Sequence, residues 1–350
     1  VKVPTGTSIP AWSRPAIVLA YTALLLALWR WDGLHTDKEA LKYLGCAQQV
    51  LQGDLHDLLG NYRHYGVYVL FLLPFVALGM PAAAVIAQAG LSLVAAFALG
   101  RTVRRLGGDE RAATLASTLY LVAIPVQQWT LALYTEALFS ALAVLLLDRT
   151  LGRDRPGPWA LVLGILLLFT RPVGLLVVGP LAVRRLTRRR ATWTAWAGHL
   201  AVLALALLNP GVAAPQLGII VGSDVLCGCT DHPLAAAGFN GRSVLDTQVH
   251  LAGALGIDQL AGLWGGRLLS LAAFTRPHYS LAHNLLVAPW YLLYPFAALG
   301  LWRYRRATWT RTLLGIALIY ALLVMFTCDE WSGRFLVPLV GPLLIPATLA

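Results

Sequence analysis

The chain has 350 residues, of which 58% are hydrophobic and 12% charged, about half the charged share of a soluble domain. A soluble core of this size cannot hide so much apolar sequence, which excludes a cytosolic globular enzyme, a disulfide scaffold and a disordered chain. The formal charge of +11 would indicate nucleic acid only if the basic residues shared one polar surface, and they do not.

Apolar runs long enough to enter a bilayer recur along the whole chain. They cover roughly 15–31, 82–100, 112–126, 135–148, 159–170, 172–183, 194–212, 285–301, 312–327 and 335–350. The first run is long and lacks a small-residue cleavage site, so it is expected to stay as an anchor. Residues 66–80 are also apolar, but the run is short and broken by Pro74.

Arginines fall between the runs: Arg101, Arg104, Arg105 and Arg111; Arg149, Arg153 and Arg155; Arg184, Arg185 and Arg188 to Arg190; Arg303, Arg305, Arg306 and Arg311. The positive-inside rule makes these loops cytoplasmic. With Lys2 and Arg14 the inner face carries a net +14 and the outer face −3. Parity then allows only one of 66–80 and 82–100 to cross. The expectation is an all-α polytopic protein with about ten transmembrane helices, and 66–80 as a re-entrant or interfacial helix. Its organisation divides into a transmembrane module at 1–212, an external region at 213–284 and C-terminal helices at 285–350.

The outer face holds two longer polar segments, about 32–66 and 213–284, and polar groups beside a membrane are costly enough to point to function. In the first, Leu41, Leu44, Ala47, Val50 and Leu51 recur at helical spacing. That predicts an amphipathic surface helix over 37–52, capped by Thr36 or Asp37 and ended by Gly53. Asp37 and Glu39 would complement its dipole or do chemistry. In the second, Asp224, Asp231, His232, Asn240, Arg242, Asp246, His250, Arg276, His278, Tyr279, His283 and Asn284 suit sugar hydroxyls or a solvated loop. Cys46, Cys227, Cys229 and Cys328 are all expected outside, where a bond from Cys328 to the 227/229 pair could persist. Trp31, Trp193, Trp196, Trp302 and Trp309 are expected in interfacial belts.

The series Glu39, Tyr43, Ala47, Leu51, Gly53 and Asp54 resembles the first external loop of GT-C glycosyltransferases. These polytopic enzymes take sugars from polyprenyl-phosphate carriers, and include protein O-mannosyltransferases and lipid A aminoarabinose transferases. Four further segments resemble the family in order: Tyr62 to Gly66, Tyr134 to Phe139, Thr170 to Leu176 and Gly333 to Leu339. The pattern departs at Asp37-Lys38-Glu39, where many relatives have an Asp-Glu pair, and at Tyr65-Gly66, where Pro-Pro is usual. The resemblance implies GT-C architecture and an inverting transfer on the periplasmic face of the plasma membrane. The acceptor is a glycan, lipid or protein. Glu39 or Asp37 would be the general base, and Arg171, Arg334 and Arg63 the donor-phosphate ligands. Tyr43, His64, Tyr65, Glu136 and His278 would line the substrate site. A divalent metal is left open, since only some members use one. Arg171 has a structural alternative, a pair with Glu136, and Arg334 another, a pair with Asp329 or Glu330. The competing class is a multi-pass transporter or lipid flippase. Such folds show internal repeats and midplane ionisable groups, whereas no repeat is visible and the ionisable residues gather outside.

Overall fold

The computed structural model describes residues 13–153, 157–187, 192–208, 243–327 and 333–350. Among these residues all regular structure is helical, with a single isolated bridge between His35 and Ala132. The helices are α1 (Ser13–Asp32), α2 (Glu39–Leu51), α3 (His56–Leu59), α4 (Gly66–Ala77), α5 (Ala84–Arg105) and α6 (Glu110–Val122). They continue with α7 (Ile124–Gln127), α8 (Thr135–Thr150), α9 (Pro158–Leu168), α10 (Leu175–Thr187), α11 (Thr192–Leu208) and α12 (Val244–Leu255). The last are α13 (Ile257–Ala272), α14 (Leu281–Val287), α15 (Leu293–Arg303), α16 (Thr308–Thr327) and α17 (Val337–Leu349).

Among the described residues, each of the ten expected apolar segments lies mainly on helix; residues 209–212 of the segment 194–212 lie outside them. Among the described residues three helices are long and apolar enough to cross a membrane, Pro81–Arg105, Leu281–Arg303 and Thr308–Phe326. Shorter apolar helices occupy Arg63–Ala77, Pro158–Leu168, Trp193–Leu208 and Val337–Leu349. At a rise of about 1.5 Å per residue, an 11-residue helix reaches only about half of a ~30 Å hydrocarbon core.

The chain forms two compact units. The first comprises Val1–Gly174, Pro289–Thr310 and Val337–Ala350. Its centre is built by α5 against α6 and α8, with the α15–α17 pair beside them. Position 100 must be small for α5 and α6 to meet, because a Cβ there would stand 2.8 Å from the Ala113 carbonyl oxygen. Close backbone approach of this kind drives helix association where lipid offers no hydrophobic gain. Asp109 caps α6, its carboxylate accepting from the Ala112 N–H at 2.8 Å, which satisfies a donor the helix start leaves unpaired.

The first unit has two chemically distinct ends. At one, Arg105 closing α5 pairs with Asp148 near the close of α8. Residues 349 and 350 lie at that end too, since a Cβ on Gly108 would touch Leu349 and Arg303 Nη1 donates to the Ala350 carbonyl at 2.7 Å. We call this the arginine end. At the opposite, loop end, Gln88 near the start of α5 donates from its amide to the carbonyls of Thr130 and Ala132, both at 2.9 Å. It also accepts from Tyr68 Oη at 3.0 Å. The start of α4 therefore lies at the loop end, and its 12 residues rise only about 18 Å.

The second unit comprises Leu175–Ala288 and Arg311–Leu336. Here α10 and α11 pack through Gly179 against Val202 and Gly198 against Val183. His199 of α11 is buried against Gly315 of α16. Gly256, at φ +78°, makes the sharp turn between α12 and α13, a backbone conformation in which glycine lacks the Cβ penalty. Gln248 fastens α12 to α16 by donating to the Phe326 carbonyl at 2.7 Å.

Three local expectations change. The surface helix begins at Glu39, with Lys38 at its N-cap in a left-handed conformation (φ 50°) and no side-chain cap, so neither Thr36 nor Asp37 caps it. Its buried face is Ala40, Tyr43, Cys46 and Ala47, while Leu41 and Leu51 point outward; the tyrosine and the small residues pack closely, and the leucines do not. Trp31, Trp193 and Trp302 are exposed as belts require, but Trp309 is buried against Tyr304.

Candidate functional site

The loop end of the first unit gathers three segments that are far apart in sequence. The residues after α1 are fixed by backbone pairing: His35 N donates to the Leu131 carbonyl at 3.1 Å, and Leu133 N donates to the His35 carbonyl at 2.9 Å. Tyr134 Oη reaches the Asp37 carbonyl at 3.5 Å. These contacts hold the start of α2 beside the start of α8. On the far side, Val67 N donates to the Phe169 carbonyl at 3.0 Å, which binds α4 to the turn after α9.

That turn carries Arg171. Its guanidinium Nη1 donates to Glu136 Oε1 at 2.8 Å, and both side chains are buried. The guanidinium also lies 5.9 Å over the Phe139 ring. The turn is tight because position 174 is glycine; a Cβ there would sit 2.5 Å from the Leu167 carbonyl oxygen. The structural alternative weighed for Arg171 is thus present. A buried carboxylate and arginine in contact orient each other, where either charge alone would be costly to bury.

Tyr43 lies at the centre of this end. It projects from α2, is 5% exposed, and is ringed by Tyr62, Tyr65 and Tyr68 at centroid distances of 6.3, 5.6 and 5.2 Å. Burial holds its hydroxyl well above the ordinary tyrosine range; the neighbouring Tyr65, Glu39 and Glu136 push the same way, and Arg171 opposes them. Tyr43 therefore stays protonated as a hydrogen-bond donor, within electrostatic reach of four of the residues selected from the sequence. Glu39 is half-buried there, whereas Asp37 is exposed.

Arg63 and His64 sit on the rim. Arg63 Nε donates to His64 Nε2 at 3.2 Å. Burial, then the Arg63 charge, lowers the His64 pKa from its usual value, which keeps the ring neutral and able to accept that hydrogen bond. Cys46, behind Tyr43 on α2, is a free buried thiol, and burial raises its pKa.

Arg334 and His278 belong to the second unit. His278 packs edge-on to Tyr279, which stacks on His283 at 4.0 Å. Gly333 lies beside the Tyr279 hydroxyl, and the Arg334 guanidinium lies over Phe335 at 5.4 Å. Arg276 is 4% exposed; among the described residues its Nε and Nη2 have no hydrogen-bond partner. Its backbone is clamped by Asn284, which accepts from Arg276 N at 2.9 Å and donates to its carbonyl at 2.8 Å. Asp246 lies in the first turn of α12, where its N–H is capped by Ser243. Asp224, Cys227, Cys229, Asp231, His232, Asn240, Arg242, Cys328, Asp329 and Glu330 lie outside the described residues, as does the His250 side chain.

Among the described residues no three His, Cys, Asp or Glu side chains converge into a set that could hold a metal ion. Sequence reasoning missed Tyr62 and Tyr68 as walls of the cluster, and Gln88 as its anchor. A lone glutamine inside the apolar run 82–100 was the available signal, because an amide in such surroundings must find partners. No family model matches the chain, and no curated protein or solved structure matches it either.

Proposed function

We propose that this chain is a GT-C-type membrane glycosyltransferase with about ten transmembrane helices. It moves a sugar from a polyprenyl-phosphate carrier to an acceptor on the extracytoplasmic face of the plasma membrane. The observation that carries this reading is the convergence at one end of the first unit. The Glu39–Tyr43 helix, the Tyr62–Tyr65 segment, the Glu136 helix start and the Arg171 turn, which separately resemble GT-C segments, meet around Tyr43. The short α4, starting at that end, supports an interfacial course for 66–80.

In this mechanism the Glu39 carboxylate takes the proton from an acceptor hydroxyl. The oxygen attacks the anomeric carbon from the side opposite the phosphate. The bond from that carbon to the phosphate oxygen breaks, its electron pair leaves with the carrier, and the anomeric configuration inverts. Arginine suits the departing phosphate because its planar fork can hold two oxygens. Arg63 on the rim and Arg171 held by Glu136 are the proposed partners within the first unit, and Arg334 keeps only the role that the resemblance gives it. Glu39 is preferred to Asp37 because it is half-buried beside Tyr43, where a carboxylate is shielded from bulk water. Tyr43, Tyr65, His64 and Glu136 are the proposed substrate contacts of the first unit, and His278 keeps only the role that the resemblance gives it.

The test is turnover of purified protein across a panel of polyprenyl-phosphate sugars, with Glu39→Gln and Asp37→Asn as controls. Absence of turnover with every donor, together with substrate flux in liposomes, would replace the enzyme by a transporter. Normal turnover in both single variants and the double variant would overturn the base assignment.

A further inference from the structure

We propose that the arginine end of the first unit is a binding site for the phosphate headgroup of an anionic phospholipid. Three guanidiniums converge there on one carboxylate. Asp148 is 1% exposed and pairs with Arg105, with Arg101 Nη2 at 3.4 Å and with Arg149 Nε at 3.7 Å. Arg153 Nε adds a hydrogen bond to the Asp148 carbonyl at 3.3 Å. Three positive charges against one negative leave a formal surplus of two, and Arg153 makes it three.

The surplus is held in place by the fold. Thr102 Oγ1 also reaches Asp148, at 3.4 Å, and Arg105 donates to the Leu151 carbonyl at 3.3 Å. The α8 chain turns at Gly152 with φ +67°, where a Cβ would stand 3.2 Å from Arg105 Cβ. Arg105 is thereby held at the carboxylate, and an outside anion beside Arg101 and Arg149 would offset the surplus. Arg101 and Arg149 keep 43% and 42% of their side-chain surface exposed, so that anion has access.

The depth of the cluster selects the anion. Arg101 and Arg105 end the membrane-length helix Pro81–Arg105, which places them at headgroup level. Trp302, beside the Arg303 that holds the Ala350 carbonyl, and Trp159, at the start of α9, are both exposed. Tryptophans at that level mark the membrane–water interface. Basic pockets between helices on the inner side recognise anionic headgroups. The inference rests on membrane insertion, and not on glycosyl transfer.

The experiment reconstitutes the full chain in vesicles of phosphatidylcholine with a minor share of phosphatidylglycerol, then measures lipid retained by the protein after mild detergent extraction. Wild type should retain phosphatidylglycerol on the order of tenfold above its share, and the double variant Arg101→Gln/Arg149→Gln should retain it at its share. Arg101→Lys/Arg149→Lys, which keeps the charge, should hold most of the enrichment. Equal retention of the two lipids by wild type, or enrichment persisting in the glutamine variant, overturns the proposal. So does displacement of the lipid by an equal concentration of inorganic phosphate, which would make this a free-anion site. If the glutamine variant does not fold, the wild-type ratio and the phosphate competition still decide.

Discussion

At the loop end of the first unit a buried carboxylate, Glu136, meets one buried arginine, whereas at the arginine end Asp148 meets three arginines of which two reach the surface. The same chemistry thus serves opposite ends in different proportions. The buried Glu136–Arg171 pair is closed to solvent, and it is placed to orient what lies next to it. A one-to-three cluster is open, because its geometry is complete while its charge is not. The proposed chemistry depends on the closed pair, and the proposed lipid contact on the open one.

The largest effect should come from the carboxylate proposed to act on substrate. Glu39→Gln should lower turnover by about 10²- to 10⁴-fold, the usual contribution of a general base, with the thermal unfolding midpoint unchanged. Loss of the fold together with activity would make Glu39 a structural residue.

Next come the two ion clusters. Glu136→Gln removes the carboxylate from buried Arg171 and should cost about 3–5 kcal/mol of stability. Glu136→Gln/Arg171→Met should recover most of that, as read by denaturant unfolding in detergent. Asp148→Asn should also destabilise, but by an amount that shrinks in high salt, because Arg101 and Arg149 reach solvent and their repulsion is screened. Equal salt dependence of the two variants would erase the distinction between a closed and an open cluster.

Packing at the turn gives a smaller effect. Gly174→Ala should destabilise by about 1–3 kcal/mol, since its methyl would press on the Leu167 carbonyl and displace Arg171 from Glu136. The smallest effect is on the rim. His64 has a folded-state pKa below its unfolded value, so the unfolded chain binds more protons between the two values. Stability contributed by neutral His64 is present above about pH 6.5 and lost as pH falls through that window. His64→Gln should flatten this slope in unfolding midpoints recorded across pH 5 to 7.

Helices were the most legible part, because apolar runs of the observed length have few alternatives. Gly53 was also legible: it follows the α2 C-cap at φ +86°, the left-handed exit that glycine favours. The start of α2 was not, because Thr36 and Asp37 suit a cap on local grounds, while the pairing of His35 with residues 131–133 sets the local backbone instead. Glu136 and Arg171 stood out as charges in apolar surroundings, and their pairing was one of two readings. The ring around Tyr43 was illegible, since tyrosines at 43, 62, 65 and 68 meet only after α2 lies along α4. The three-to-one imbalance at Asp148 was hidden for another reason: a topological rule explains the arginines without reference to the carboxylate between them.

One contact within the first unit bears on how the protein is made. Tyr21, in the middle of α1, donates its hydroxyl to Gln127 Oε1 at 3.0 Å across 106 residues of chain. Synthesis at ~5–20 residues per second puts roughly 5–20 s between the two. Throughout that interval the phenol lacks its Gln127 partner, although the Ala89 carbonyl, 3.5 Å from the same hydroxyl, is made earlier. This one fastening of α1 therefore cannot form before residue 127 is made, and the rest of the unit, through residues 289–310 and 337–350, closes later still.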